Sequence, residues 1–236
     1  EQTTIESGLF LPQAYENYRR QFGETSNTLP LTVGWARDSR DSALVPTSGR
    51  YQRFNTELAV AGDARYAKAN YQFQQYIPLS KKYTLAFNTE LGYGKGFGGR
   101  PYPIFKNFFG GGLGSVRGFE QGTLGPLSPV NNTSPVQQIN IGGNQSFAFN
   151  AEFITPFPGA GNDRTLRMFG FFDVGNVANS EIAGSPGLFS ELRASVGIGL
   201  SWISPVGPLR FAIATPIRKQ PQDKIQRFQF QIGTSF

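Results

Sequence analysis

The sequence predicts an all-β protein: an antiparallel transmembrane β-barrel portion of about nine strands, with one short helix in a loop. Three observations carry this. Apolar and polar residues alternate with period two over most of the chain. A mean hydropathy of −0.30 goes together with only 16% charged residues, where a soluble domain has about 25%. The polar faces of the strands hold Gln, Asn, Ser, Gly and single charges, where a water-soluble β-sandwich would present Lys and Glu. Lipid outside and a wet lumen inside account for all three.

The rest of the composition agrees. Among 236 residues there are 29 Gly, 22 Phe and 9 Tyr against a single Met, a balance that favours strands and turns over helices. No apolar run reaches the roughly 18 residues of a transmembrane helix. "EQTTIESG" has no basic end and no apolar core, so no signal peptide is expected there.

Strands are predicted over 29–37, 51–61, 67–79 and 83–93, then 146–156, 166–177, 192–204, 208–217 and 227–236. "EQTTI" at the start has the look of a strand remnant. Residues 11–22, "LPQAYENYRRQF", carry the one plausible helix, placed in a loop on the outer side. In 83–93, Tyr83, Leu85, Phe87, Leu91 and Tyr93 oppose Asn88, Glu90 and Gly92. In 192–204, Leu192, Ala194, Val196, Ile198, Leu200 and Trp202 oppose Arg193, Ser195, Gly197, Gly199 and Ser201. In 208–217, Leu209, Phe211 and Ile213 oppose Arg210, Ala212 and Ala214. The last strand is the cleanest, with Phe228, Phe230, Ile232 and Phe236 against Arg227, Gln229, Gln231 and Ser235.

Connections alternate in length, as a barrel requires. Short turns are 78–82 and 204–208; long ones are 94–145 and 178–191. A last strand that ends on the periplasmic side puts 62–65, 218–224 and both long connections outside. Residues 1–236 are therefore expected to be the C-terminal part of a transmembrane β-barrel domain. In this layout 28–93 holds the first four strands, 94–145 a long loop and 146–236 the last five strands. Nine is odd where bacterial single-chain barrels use even numbers, so a truncated barrel is expected.

Several function classes fall away. The net charge of +6 is scattered, and its longest basic cluster is Arg218-Lys219, whereas nucleic acid wants a basic stripe. With no His, Ser-His-Asp hydrolysis, His-ligated zinc and most general-base schemes are excluded. There is no Cys to form disulfides. Gly94, Gly96 and Gly99 match G-x-G-x-x-G but run into "RPYPIF" with no βαβ unit, and "GGGLGS" lacks the G-K-[S/T] of a P-loop. No metal, cofactor or enzymatic activity is expected.

The connection 94–145 is too long to be an ordinary structureless loop. Within it, "NFFGGGLGSVRGF" followed by "GTLGP" (107–126) resembles the VRGF loop of the outer-membrane barrel-assembly superfamily, with the BamA-type assembly factors as the nearest branch. The similarity continues in the family's order through "LTVGWARDSRDSALVPTSGRY" (31–51), "AEFITPFP" (151–158), "FFDVGNV" (171–177), "SVGIGLSWISPVGPLRFAIATPI" (195–217) and "FQFQIGTSF" (228–236). Residues 1–28 match poorly.

The resemblance implies that Val116, Arg117, Gly118 and Phe119 fold back into the barrel, and that Arg117 pairs with inward acids on the next two strands, Glu152 and Asp173. Glu152 is opposite in parity to Phe149, Ala151 and Phe153 and so faces the lumen. Asp173 shares parity with Phe169 and Phe171, and its assignment rests on the resemblance. A charge-assisted, bidentate pair would hold a long loop, although desolvation opposes it. The competing readings are a solvated loop charge for Arg117 and a catalytic pair for the carboxylates, which no substrate-binding set accompanies.

The resemblance also implies a weak lateral seam at the last strand, with Phe228, Phe230 and Ile232 on its apolar face, a kink at Gly233 and a terminal aromatic, Phe236, like the signal of client barrels. The implied function is ATP-independent folding and insertion of β-barrel proteins into the bacterial outer membrane. Implied partners are outer-membrane lipids, unfolded client proteins, and accessory lipoproteins bound through upstream POTRA repeats. Open edges at about 29–37 and 226–236 are expected to pair with a second copy or with residual strands, giving a dimer or a closed multi-chain sheet. The alternatives are a translocation-assembly or two-partner-secretion barrel of the same superfamily, and a passive porin.

Overall fold

A computed structural model describes residues 1–8, 10–130, 136–159, 165–205 and 207–233, which leaves Phe236 outside the described residues. Its strands in chain order are β1 (Gln2–Thr4), β2 (Thr25–Asp38), β3 (Gly49–Gly62), β4 (Tyr66–Pro78) and β5 (Thr84–Gly96). The long loop carries β6 (Gly118–Phe119), β7 (Leu127–Pro129) and β8 (Gln138–Asn140). The wall resumes with β9 (Gln145–Pro156), β10 (Leu166–Ala178), β11 (Arg193–Ser204) and β12 (Gly207–Arg218), followed by β13 (Ile225–Gln226) and β14 (Phe228–Ile232). One antiparallel ten-stranded sheet forms the wall, in the order β1-β2-β3-β4-β5-β9-β10-β11-β12-β14.

The nine long strands thus stand side by side in the expected order, and the count rises to ten because Gln2–Thr4 pairs with Thr25–Asn27. The expected edge at 29–37 is modified in the same way. β2 begins at Thr25, and its first residues are covered by β1. At the other end β14 runs over Phe228–Ile232, Ile225 and Gln226 pair with the loop, and 234–236 of the expected strand lie outside the described residues.

Period-two alternation decides what each face meets. Leu29, Leu31, Val33 and Trp35 of β2 point outward and are exposed, as are Ile198 and Trp202 of β11, Ile213 of β12, and Phe228, Phe230 and Ile232 of β14. Rings stack across neighbouring strands on this surface, Tyr83 on Phe153 at 5.5 Å and Phe87 on Phe149 at 6.1 Å between centroids. An apolar surface of this extent would not stay in water, and a bilayer is the solvent it fits. Among the described residues no helix is long and apolar enough to cross a membrane.

The packed core lies on the inner face, between wall and loop. Ala86, Ile154, Phe169, Phe171, Ala212 and Ala214 form one buried cluster, with Leu113 of the loop against it. Phe169 and Phe171 share the inward face with Asp173, the parity the sequence left unclean. Glycines on β11 make this possible: a Cβ at Gly197 would lie 2.5 Å from Phe171 Cζ, and one at Gly199 2.2 Å from Phe169 Cζ. The two rings therefore lie across β11.

Helix α1 (Gln13–Phe22) belongs to the same inner assembly as the loop. Ala14, Tyr15 and Tyr18 pack on Ile5, Ile104 and Ile141, and the Ala14 N–H donates to Ser128 Oγ at 3.0 Å. On its other side Glu16 pairs with Arg19 and Arg20 at i,i+3 and i,i+4, the spacing at which helix side chains are neighbours.

Candidate functional site

The loop re-enters the lumen through a hydrophobic knot. Val116, Phe119 and Leu124 are fully buried against one another, which brings the intervening Arg117 to the inner face of β9 and β10. Arg117 is 1% exposed and Asp173 0%, so this is a charge pair taken out of water.

Its geometry compensates that cost. Arg117 Nε donates to Asp173 Oδ2 at 2.7 Å and Nη2 to Oδ1 at 2.6 Å, a bidentate fork. The Arg117 backbone N–H adds a third bond to Asp173 Oδ2 at 3.0 Å. The remaining arm, Nη1, donates to Glu152 Oε1 at 2.5 Å. The guanidinium carbon sits 3.6 Å from the centroid of the Phe171 ring, a cation–π contact strengthened by desolvation. Burial works to lower the Arg117 pKa, but its bonds to Asp173 and the charges of Glu152 and Asp173 outweigh this and raise it.

Three participants were not singled out in the sequence. Asn150, one pleat from Glu152 on β9, donates to Asp173 Oδ1 at 2.9 Å and to the Ser115 carbonyl at 2.7 Å, tying acid and loop backbone together. Arg210 of β12 donates to Glu152 Oε1 and lies over the Phe169 ring at 4.5 Å. Two arginines and two carboxylates therefore balance, and the cluster reaches from the loop to the penultimate strand. Gln229 of β14 bonds to the backbone on either side of the Gly118–Phe119 peptide unit. All three occupy inward parity positions on strands, a signal that marks lumen residues but does not separate network members from plain lining.

Gly118 is required here on two counts. Its φ is +89°, a region L side chains rarely adopt, and a Cβ would lie 3.0 Å from the Ala214 Cβ. On β14, Phe228, Phe230 and Ile232 face outward. Gly233 has φ +91° and donates its N–H to the Pro208 carbonyl at 2.8 Å, ending the regular strand.

The Omp85 superfamily domain matches residues 5–236. The chain belongs to the Omp85 superfamily. It is 37% identical, over its whole length, to the outer membrane protein assembly factor BamA of Neisseria meningitidis, of which it spans 33%. It is 30% identical to BamA of Nitratidesulfovibrio vulgaris over 86% of this chain and 25% of that one. Similarity extends to eukaryotes: the sorting and assembly machinery component 50 homolog A of Xenopus laevis is 29% identical over 98% of this chain and 50% of its own. In structure, BamA from Haemophilus ducreyi lacking POTRA domains 1–3 superposes with a TM-score of 0.84 at 28% identity, covering 95% of this chain and 48% of that one. The chain spans a quarter to a third of the length of these two BamA relatives. Within this Omp85 member, the cluster around Arg117 ties the long loop to β9, β10 and β12 of the wall.

Proposed function

We propose that this chain is the C-terminal barrel part of a BamA-type assembly factor that folds and inserts β-barrel proteins into the bacterial outer membrane. The observation that carries the reading is the dry fork of Arg117 on Asp173 and Glu152, which seats the long loop against the inner face of the wall. β14 pairs with β12 and has an exposed apolar outer face. In hydrocarbon an unpaired peptide group costs several kcal/mol, so an exposed edge is a template on which a client strand satisfies its backbone as it inserts. In this reading Val116–Phe119, seated by Arg117 on Asp173 and Glu152, is the loop lock that braces the lumen behind the seam. Phe228, Phe230, Ile232, Gly233 and Phe236 form the seam strand. Clients, outer-membrane lipids and accessory lipoproteins are the partners, the last held by POTRA repeats outside this sequence. The fragment alone should self-associate through its edges.

The test is reconstitution of the full-length protein in liposomes with a urea-unfolded client barrel, scored by heat-modifiable mobility on gels. Client folding is expected to run about tenfold faster than on empty liposomes, with no ATP added. Equal rates would sink the proposal, and a large steady conductance without client folding would mark a porin.

A further inference from the structure

The last strand changes partner part-way along its length. Phe228–Ile232 pair with Ile213–Leu209 of β12, and the Arg227 carbonyl still accepts from the Ala214 N–H at 2.8 Å. One residue earlier the chain leaves the wall. Gln226 and Ile225 pair with Gly118 and Phe119 of the long loop, and the Lys224 carbonyl accepts from the Glu120 N–H at 2.9 Å. Gln229, buried on the inner face of β14, closes the join. Its Oε1 accepts from the Gly118 N–H at 3.3 Å, and its Nε2 donates to the Phe119 carbonyl at 2.7 Å.

The wall is built to let the strand go at this point. Ser195 opposes Pro216 while Ala194 opposes Arg218, so Ile217 is an extra residue that bulges the outer end of β12. Pro216 has no N–H to offer a ladder. Ala214, small and buried, leaves the room that the loop backbone at Gly118 occupies.

The turn that feeds β13 is fixed independently. Asp223 is buried against Arg193 of β11, which donates from Nη2 at 3.0 Å and from Nε at 3.1 and 3.2 Å. Arg193 Nη1 donates to Asn176 Oδ1 at 2.7 Å, and the Gln220 N–H caps Asp223 Oδ2 at 2.7 Å. Side-chain exposures of 3% and 2% make this a second dry ion pair.

The geometry points to Gln229 and the Arg193–Asp223 pair as positioning residues that make the outer end of the final strand part of the loop, so that the loop and the seam strand move as one body. This rests on the reading of β14 as the seam. An outward displacement of the strand then loads the Arg117 cluster, and release of the cluster frees the strand, since coupling between two sites is reciprocal.

These 236 residues contain no cysteine, so once any thiol elsewhere in the full-length protein is replaced by serine, an introduced pair is read directly. Glu120→Cys with Lys224→Cys, introduced into the full-length membrane-inserted protein, places two thiols across the β6–β13 register. Opposed Cα atoms of an antiparallel pair lie about 4.5–5.5 Å apart, within disulfide range. The pair is expected to close under mild oxidant. Gln229→Leu and Asp223→Asn should each slow closure about tenfold, whereas Glu57→Gln at the far side of the loop should leave it unchanged. The oxidised protein should fold client within about twofold of the reduced protein, because strand and loop already travel together. Wild-type closure rates in both variants would overturn the inference, and so would a loss of client folding on oxidation that reduction restores. If Gln229→Leu does not reach the membrane, Gln229→Glu replaces it; that variant loses the donor to the Phe119 carbonyl and should slow closure in the same direction. If neither redox state folds client, the proposed function falls, and the closure rates alone decide this inference.

Discussion

Two of the fastenings of the long loop are made of different chemistry. Near its start, Lys106 Nζ contacts Glu1 at 2.9 Å and Glu57 at 3.0 Å. Lys68 Nζ and the Tyr102 hydroxyl donate to the Lys106 carbonyl at 2.9 and 2.8 Å, and the Tyr66 hydroxyl donates to Glu57. Deeper in, Arg117 meets Asp173 and Glu152. The first anchor is a point charge on a flexible stem, and its partners Glu1 and Glu57 stay 39% and 22% exposed. The second is a planar fork with every arm matched, away from water. A lysine at the wet rim tolerates rearrangement; a guanidinium in a dry lumen has a single good geometry. The rim anchor orients the loop, and the inner anchor fixes its register.

The sharpest way to break that contrast is Asp173→Ala. It leaves a buried guanidinium without its bidentate partner, a loss of about 3–5 kcal/mol, and also strands Asn150. Thermal unfolding in detergent should fall by the largest step of any single loop-contact substitution, and protease should cut within 107–126. A thermal shift no larger than that of a rim substitution would mean that the inner pair is wet and the contrast false.

Glu57→Gln probes the other side. The rim pair is partly exposed, so its loss should cost about 1 kcal/mol or less. Because exposed charges are screened over about 10 Å at 0.1 M salt and about 3 Å at 1 M, the difference between Glu57→Gln and the parent should shrink as salt rises. The Asp173→Ala deficit should stay. Equal salt dependence of the two variants would show that the anchors differ in place only.

How far this could be read from the sequence follows the same division. The wall was legible because a strand between lipid and lumen must alternate; Leu29, Leu31, Val33 and Trp35 face outward by parity alone. Alternation fails where the lumen is filled by protein. Phe169 and Phe171 point inward because a loop covers them and Gly197 and Gly199 clear the space, and neither condition is written in β10 itself. The inner acids were named through the family's motifs; parity alone supported Glu152 and left Asp173 ambiguous. Arg210 and Gln229 were visible as inward positions, but their partners lie 58 and 111 residues away, beyond any local pattern. The shift of residues 225–226 from wall to loop left only a small mark. In "IQRFQFQI" the alternation slips where Gln226 and Arg227 adjoin, but nothing local says what the displaced pair meets, and the switch falls opposite Pro216 and the bulge on the neighbouring strand.

The smallest effect separates the anchors by proton affinity. Burial pushes the Lys106 amine down, but its bonds to Glu1, Glu57 and Tyr66 outweigh that and hold it above the ordinary lysine value. A cation whose folded pKa is raised contributes stability that is fully present below its unfolded value, about 10.4 for lysine. That contribution declines as pH climbs from there and is gone once pH passes the raised folded value. Arginine does not deprotonate in this range. Mild alkali should therefore leave both anchors closed past the point where a free lysine discharges. Stronger alkali should release the segment around 100–107 while 114–119 remains seated. Limited proteolysis across an alkaline series reads both segments at once. Cleavage in 114–119 at or before the onset of cleavage in 100–107 would show that the rim holds the inner anchor in place, and would reverse the order of dependence argued from their chemistry.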